Sequence, residues 1–246
     1  MISFVSFVPL WDKKMKQKRR YSKLKRILVV FFLLLLAFFT YVEIVNRNSV
    51  NMTFRQKILK AVYPALMWWR SLKGSNTKKT SNPKVTPMIS FYSLHDTLND
   101  GTPFDFAQLK GKKVMLVNTA SDCGFTAQYA DLEDLHKKYQ DKLIMIGFPA
   151  NDFGDQEKGD DNAIASFCQR NFGVSFLLMK KSSVIKSADQ NPVYQWLTDP
   201  AKNGWNDQQP TWNFFKYIVD EQGNLTDLFA SPVDPMSSEV INAINK

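Results

Sequence analysis

The chain has only two residues with a nucleophilic sulfur, Cys123 and Cys168, among its 246 residues. Cys123 lies in the stretch VNTASDCGFT, directly after an apolar run and directly before a predicted helix. A thiol at the junction of a buried strand and a helix faces free backbone N–H groups and the positive end of the helix dipole. Both favour the thiolate, which is the nucleophilic form of cysteine. The sequence therefore predicts that Cys123 is ionised near neutral pH, open to solvent and able to attack a peroxide O–O bond, becoming a sulfenic acid.

The same stretch also allows a second interpretation of this cysteine. A free cysteine is more often a small buried hydrophobic residue than a nucleophile. The carboxylate of Asp122 would oppose ionisation of the neighbouring thiol if it pointed the same way. A dithiol redox motif is excluded, because Thr126 stands where a C-x-x-C motif has its second cysteine. From its position alone, Cys123 is either a reactive thiol or a core residue.

Composition and charge argue against other kinds of site. Neither His95 nor His136 lies at zinc-ligand spacing from a cysteine, and the sequence has no glycine-rich phosphate loop. Residues 1–87 hold 18 Lys and Arg against two acidic residues, a net charge of +16, whereas residues 88–246 hold 14 against 21, a net charge of −7. A nucleic-acid-binding domain concentrates positive charge on its folded part. We therefore expect no metal, no other cofactor and no nucleic-acid partner.

The hydrophobic pattern around Cys123 predicts an α/β domain. Two short apolar runs with a helical segment between them are typical of a parallel strand pair that is buried on both faces. The predicted elements are strands at 113–118 and 142–148, helices at 129–139, 160–171 and 235–245, and a β-hairpin over 215–229. This order predicts a thioredoxin-like fold, with a central mixed sheet flanked by helices.

An apolar run near the N-terminus predicts a single transmembrane helix. Residues 27–42, ILVVFFLLLLAFFTYV, carry no charge, and the span extends to residue 45. Nine Lys and Arg residues between positions 13 and 26 precede it. The positive-inside rule then places the N-terminus in the cytoplasm and the rest of the chain on the periplasmic or lumenal side. The alternatives are a cleaved signal peptide, although no small-x-small site follows the run, and a buried core helix.

The segment after this span predicts an amphipathic helix and a linker. Residues 54–72 carry apolar side chains every three or four positions, which suits a helix in the lipid headgroups or one packed on the folded domain. Pro64 predicts a kink in either case. Residues 73–87 lack apolar periodicity and predict a flexible linker. The predicted organisation is a basic cytoplasmic arm at 1–26, a transmembrane helix at 27–45, the juxtamembrane helix and linker at 46–87, and a globular domain at 88–246.

Three blocks of the predicted domain resemble the glutathione peroxidase family, in order and at family spacing. They are VNTASDCGFTAQYADLEDLHKKY, IGFPANDFGDQE and WNFFKYIVDEQGNL. The resemblance implies a thioredoxin-like fold and reduction of hydrogen peroxide or organic hydroperoxides at the expense of a thiol. By position it implies that Cys123 is the peroxidatic residue and that Gln156, Trp212 and Asn213 complete a catalytic tetrad. Indole and carboxamide N–H groups are neutral donors that stabilise a thiolate without trapping it in an ion pair.

The resemblance also gives Cys168 a role. This residue matches the resolving cysteine of the cysteine-type, thioredoxin-dependent members, although core packing is the plainer interpretation. A disulfide with Cys123 needs Cα atoms roughly 4.4–6.8 Å apart, so we expect the helix of Cys168 to open during turnover. Ala150 stands where many members have another cysteine. The short segment between Trp196 and Trp212 lacks the insertion of tetrameric, glutathione-using members, which implies a monomer and favours a thioredoxin-like protein over glutathione as donor.

Three functions remain open at this point. The leading hypothesis is a membrane-anchored thiol peroxidase that uses a thiol reductant as co-substrate. A peroxide-sensing relay would instead pass a disulfide to a partner protein, with stoichiometric transfer and poor turnover. A catalytically silent, membrane-tethered binding domain is favoured only by Asp122 beside the thiol and by departures from the family pattern at Lys158 and Leu177. The presence of Cys123 together with its three predicted partners argues against a silent domain.

Overall fold

The computed structural model of the protein describes residues 10–72, 79–82 and 85–246. The chain forms two compact units, Met1–Arg47 and Asn48–Lys246. The predicted basic arm and linker fall in part on residues 1–9, 73–78 and 83–84, which lie outside the described residues. The predicted domain boundary at residue 88 stays a prediction, but the second unit includes the predicted juxtamembrane helix.

The first unit contains helix α1, Leu10–Val45. Its segment Met15–Val45 is long and apolar enough to be a candidate membrane span, and most of its apolar side chains are exposed, Val42 being buried. A signal sequence near an N-terminus meets the same criterion of length and composition. The predicted transmembrane helix at 27–45 therefore coincides with one apolar helix, and the membrane itself stays a prediction.

The second unit begins with helix α2, Phe54–Leu72, at the predicted position and with Pro64 inside it. A six-stranded sheet follows, in the order β1-β8-β7-β4-β5-β6. Its strands are β1 Lys79–Ser81, β4 Lys113–Thr119, β5 Leu143–Pro149, β6 Leu177–Leu178, β7 Lys216–Val219 and β8 Leu225–Phe229. Strands β2 His95–Thr97 and β3 Pro103–Asp105 form a separate antiparallel pair.

The remaining helices flank this sheet. They are α3 Gln128–Tyr139, α4 Asp161–Phe172, α5 Pro192–Leu197, α6 Pro200–Asn203 and α7 Ser238–Asn245, with 3-10 turns at Phe91–Ser93 and Phe106–Leu109. Strands β4 and β5 are parallel neighbours joined by α3, and β7 pairs antiparallel with β4. This mixed sheet between helices confirms the predicted thioredoxin-like fold.

Strand β4 shows why the sheet needs helices on both faces. All seven of its residues are buried, and successive side chains point to opposite faces. Met115 packs into a cluster that includes side chains of α3, α4 and α7. Leu116 packs into a second cluster, which includes Trp196 of α5 and the aromatic residues Phe91 and Phe106. The carboxyl end of β4, where Cys123 follows, therefore lies between two packed layers.

The structure adds elements that the sequence did not predict. The predicted linker 73–87 contains β1, which pairs antiparallel with β8 and so extends the sheet. Asn82 continues this contact, because its N–H donates to Thr226 O at 2.7 Å. Strands of two or three residues carry too little periodicity to be recognised from sequence.

Candidate active site

Cys123 lies in a tight turn between β4 and α3. The Thr126 hydroxyl fixes this turn: it accepts the Cys123 N–H at 2.9 Å and donates to Ala120 O at 2.8 Å. The backbone N–H of Phe125 donates to the Cys123 sulfur at 3.4 Å. The backbone donor that reaches the sulfur therefore belongs to this turn and not to the helix that follows. Thr126, the residue that excluded a C-x-x-C motif, is the one that holds the turn closed.

The side chains predicted to surround Cys123 form one cluster with it. The Trp212 and Asn213 side chains lie close enough to the Cys123 thiol to lower its pKa. Asn213 Nδ2 also donates to Gln156 Oε1 at 3.0 Å, so Gln156 joins the cluster through Asn213. Asn213 is buried, whereas Trp212 is 38% exposed, with its ring centroid 5.8 Å from that of Phe153. Four of the five predicted site residues are thus brought together.

Two contacts that sequence analysis missed hold this cluster in place. Asn118, in β4, donates to Trp212 O at 3.1 Å and accepts the Phe215 N–H at 2.9 Å. The Asp122 N–H donates to Gln156 O at 3.0 Å, which ties the loop of Gln156 to the turn of Cys123. The available signal for Asn118 was a polar residue near the end of an otherwise apolar strand.

The sulfur of Cys123 is closed off from solvent, so the prediction of an open thiol is wrong for this structure. Cys123 is 1% exposed. A cavity of about 10 Å³ adjoins it. The cavity is lined by Met52, Gln56, Leu59, Lys60, Cys123, Thr126, Ala127 and Phe172. The cover therefore comes largely from α2 and the residues just before it, which the sequence placed at the lipid headgroups or on the domain without relating them to Cys123.

Burial also reverses the predicted ionisation of Cys123. Loss of hydration raises the pKa of the thiol above its ordinary value and is the largest cause of the shift. The Phe125 N–H, the Trp212 and Asn213 side chains and the Arg55 charge all lower the pKa, but together they do not offset burial. The prediction of a thiolate near neutral pH is thus wrong while α2 covers the site. The predicted neutral donors nevertheless act on the sulfur in the predicted direction.

An ion pair lies directly beside the Cys123 turn. The Arg55 guanidinium donates to the backbone oxygen of Asp122 at 2.8 Å and also pairs with the Asp122 carboxylate. The side chains are 53% and 43% exposed, respectively. Asp122, which would oppose ionisation of the neighbouring thiol on its own, is therefore neutralised by a residue of α2.

Cys168 is buried within α4 and shares a hydrophobic cluster with Cys123. Both thiols are free. Burial raises the pKa of Cys168 to about 12; the Tyr129 side chain acts to lower this pKa, and the nearby charge of Glu157 raises it further. A thiol in this state does not attack another sulfur, so the predicted resolving role requires a change at α4.

Comparison with known proteins identifies the second unit. The family model for glutathione peroxidase matches residues 91–198. A glutathione peroxidase-like peroxiredoxin of Chlamydomonas reinhardtii is 46% identical over 159 residues, which cover 62% of this chain and 97% of that protein. The chain belongs to the glutathione peroxidase family. This confirms the family resemblance and identifies the protein as a peroxidase.

A yeast relative agrees with this membership. A glutathione peroxidase-like peroxiredoxin of Saccharomyces cerevisiae is 45% identical over 161 residues, covering 65% of this chain and 98% of that protein. Among solved structures, the crystal structure of Trgpx in its apo form aligns with 33% identity and a TM-score of 0.48, over 65% of this chain and 97% of that chain. In this chain, the match to the family model begins at residue 91, after the end of α2. The residues of α2 that cover Cys123 therefore lie outside that match.

A buried carboxylate that sequence analysis quoted but did not assign lies beside the cluster. Glu157 is 1% exposed and accepts a hydrogen bond from the Ser121 hydroxyl at 3.0 Å. Burial raises its pKa to about 7, partly opposed by hydrogen bonds from Ser121 and by the charge of Lys181. Glu157 and Gln156 line a cleft of about 400 Å³. The part of the chain that the structure describes contains no group of three or more His, Cys, Asp or Glu side chains suited to a metal ion.

Proposed function

We propose that this glutathione peroxidase is a membrane-anchored thiol peroxidase that reduces hydrogen peroxide or organic hydroperoxides through a sulfenic acid at Cys123. The observation that carries the proposal is that three neutral polar groups beside one sulfur atom all favour its ionised form. These are the Phe125 N–H, 3.4 Å from the sulfur, and the side chains of Trp212 and Asn213. A cysteine that only fills a core has no need of such donors, whereas a nucleophilic thiolate does.

The first step is attack by the Cys123 thiolate on one peroxide oxygen. A sulfur–oxygen bond forms as the O–O bond breaks, and sulfur is oxidised by two electrons to the sulfenic acid. The departing oxygen takes up the proton that the thiol released and leaves as water or an alcohol. Trp212 and Asn213 stabilise negative charge on sulfur before the attack and on oxygen during it. Gln156 keeps Asn213 oriented through the 3.0 Å hydrogen bond between their carboxamides.

Cys168 resolves the sulfenic acid in the second step. Its thiolate attacks the Cys123 sulfur and displaces hydroxide, which is protonated to water, so that a disulfide remains. The shared hydrophobic cluster of the two cysteines supports a short path between them. Because the pKa of Cys168 is about 12 in the folded helix, this step follows a local opening of α4.

A thiol donor then returns two electrons to the disulfide. A thioredoxin-like protein is favoured over glutathione, because the segment between Trp196 and Trp212 is short and holds only the four-residue helix α6. The same feature supports a monomer. The apolar stretch of α1 and the cations that precede it support an anchor with a cytoplasmic N-terminus and a catalytic domain on the periplasmic or lumenal side.

Peroxide consumption by the full chain in detergent micelles tests this proposal. The parent, Cys123→Ser and Cys168→Ser are each assayed with thioredoxin and with glutathione. We expect Cys123→Ser to be inactive with either donor. We expect Cys168→Ser to lose the thioredoxin-supported reaction preferentially, because only a disulfide offers thioredoxin its usual substrate. Normal turnover of Cys168→Ser with thioredoxin would contradict the two-cysteine cycle, and an active Cys123→Ser would contradict the peroxidatic role.

A further inference from the structure

The segment 50–63 is attached to the surface around Cys123 by polar contacts. Gln56 Nε2 donates to Ser121 O at 2.9 Å, next to the Arg55 contacts with Asp122. On the other side of the cavity, Val50 N–H donates to Asn171 Oδ1 at 2.8 Å, and Asn171 Nδ2 donates back to Val50 O at 3.0 Å. These contacts hold the segment against both the turn of Cys123 and the end of α4.

Lys60 adds a contact at the end of α4, the helix that carries Cys168. Its Nζ donates to Asn171 O at 3.2 Å and lies 5.0 Å from the centroid of the Phe172 ring. Farther along α2, the Tyr63 side chain is buried and lies close enough to the Asp131 carboxyl of α3 to lower its pKa. The segment thus touches α3 and α4 as well as the Cys123 turn.

Two effects of this segment on Cys123 oppose each other. The Arg55 charge favours the thiolate, whereas the cover formed by α2 removes water from the sulfur and disfavours it. Burial is the largest of the causes that act on Cys123 and the Arg55 charge is the smallest. The net effect of the docked helix is therefore to block access to the sulfur and to keep it protonated.

The attachment is suited to release. The ion pair at its centre joins side chains that are about half exposed, and pairs of this kind contribute little and are screened by salt. Several apolar side chains of α2 remain exposed, among them Phe54, Trp68 and Trp69. These three aromatic side chains therefore contribute little to fastening the helix to the domain.

We propose that α2 is an autoinhibitory cover over the peroxidatic site, held closed by the Arg55–Asp122 pair. The proposal rests on the proposed role of Cys123 and adds regulation to it. In the closed form, shown here, a protein reductant has no path to Cys123, because α2 occupies the surface at Ser121, Asp122 and the sulfur. Release of α2 admits water and removes the largest obstacle to ionisation while the Phe125, Trp212 and Asn213 donors stay in place.

The rate of Cys123 alkylation by iodoacetamide tests this cover. The full chain in detergent micelles is treated at fixed pH, and modification of each cysteine is followed by peptide mass spectrometry. We expect Arg55→Glu to raise the Cys123 rate roughly threefold to tenfold, because it breaks a pair of modest strength. High salt should raise the rate in the parent and have little effect in Arg55→Glu. The rate of Cys168 should not change.

Two controls make the outcome specific. Lys110→Glu makes the same charge change at an exposed side chain outside α2 and should leave both cysteines at parental rates. The swapped pair Arg55→Asp with Asp122→Arg should restore slow alkylation of Cys123. Equal acceleration of Cys123 and Cys168 in Arg55→Glu would mean general loosening and would overturn the proposal, as would an unchanged Cys123 rate. Because alkylation needs no peroxide turnover, an Arg55→Glu variant that is alkylated rapidly at Cys123 but consumes no peroxide would refute the peroxidase function without affecting this test.

Discussion

The two cysteines of this glutathione peroxidase share one hydrophobic cluster but have different neighbours. Cys123 lies in a turn, where one backbone N–H donates to its sulfur and the side chains of Trp212 and Asn213 lower its pKa. Cys168 lies inside α4, where backbone N–H groups are used by the helix itself. Burial raises its pKa to about 12, and the Tyr129 side chain is the one group that acts to lower it. Burial raises both pKa values, so the donors, and not the degree of burial, distinguish a sulfur that can attack a peroxide.

Removal of the Trp212 indole N–H should have the largest effect on the reactivity of Cys123. Trp212→Phe keeps an aromatic ring against Phe153 but loses the indole N–H. We expect the rate of sulfenic acid formation at Cys123 to fall by about a hundredfold, in line with the loss of one donor from a charge-stabilising site. Stopped-flow measurement of tryptophan fluorescence would be ambiguous in this variant, so rapid-quench mass spectrometry of Cys123 is the appropriate measurement.

Trp205→Phe is the matched control for that substitution. The Trp205 indole donates to Leu225 O at 2.9 Å and does not contact Cys123. The Trp205→Phe substitution removes an indole N–H from a partly buried tryptophan, as Trp212→Phe does. We expect it to leave the rate of sulfenic acid formation near that of the parent. If both variants slow the reaction equally, Trp212 acts through packing and not through its indole N–H. The proposed difference between the neighbours of Cys123 and those of Cys168 would then be wrong.

Glu157 also distinguishes the two cysteines, because its charge raises the pKa of Cys168 and is not among the causes that act on Cys123. We expect its substitution to have a smaller effect than that of Trp212→Phe. The pKa of Glu157 is raised to about 7, so its stabilising contribution is present below the ordinary carboxyl pKa and is lost as pH rises through 7. The parent should therefore lose about 2 kcal/mol of unfolding free energy between pH 5 and pH 8 that Glu157→Gln retains.

Denaturant unfolding of the full chain at several pH values measures this difference. Asp131, with a pKa raised to about 6, and Lys216, with a pKa lowered to about 7, titrate in both proteins, so the comparison isolates Glu157. Glu239→Gln, at an exposed position of α7, serves as the control and should follow the parent. Parallel curves for the parent and Glu157→Gln would show that folding does not raise the pKa of Glu157.

The fold was predictable from sequence because its central strands and helices have strong patterns. The apolar runs that became β4 and β5, and the amphipathic runs that became α3 and α4, were recognised nearly to their ends. Strands β1 and β6 were missed, since two or three residues carry no measurable period. The position of Cys123 between a strand and a helix also followed from local pattern.

The environment of Cys123 was less predictable because it depends on contacts between distant parts of the chain. The family blocks indicated Gln156, Trp212 and Asn213, but no local pattern indicated that α2 would cover the sulfur. Arg55 and Asp122 lie far apart in sequence, and their pairing is a property of the folded chain. The wrong predictions, an exposed and ionised Cys123, both come from this one missing contact.

The most direct test of the account is to trap the oxidised sulfur. The full-length Cys168→Ser variant is treated with one equivalent of hydrogen peroxide in the presence of dimedone, which reacts with sulfenic acids, and the adduct is mapped by mass spectrometry. The account predicts one dimedone adduct on Cys123, and in the parent a disulfide between Cys123 and Cys168 in its place. Consumption of peroxide without an adduct on Cys123 would contradict the claim that its donors make it the peroxidatic sulfur.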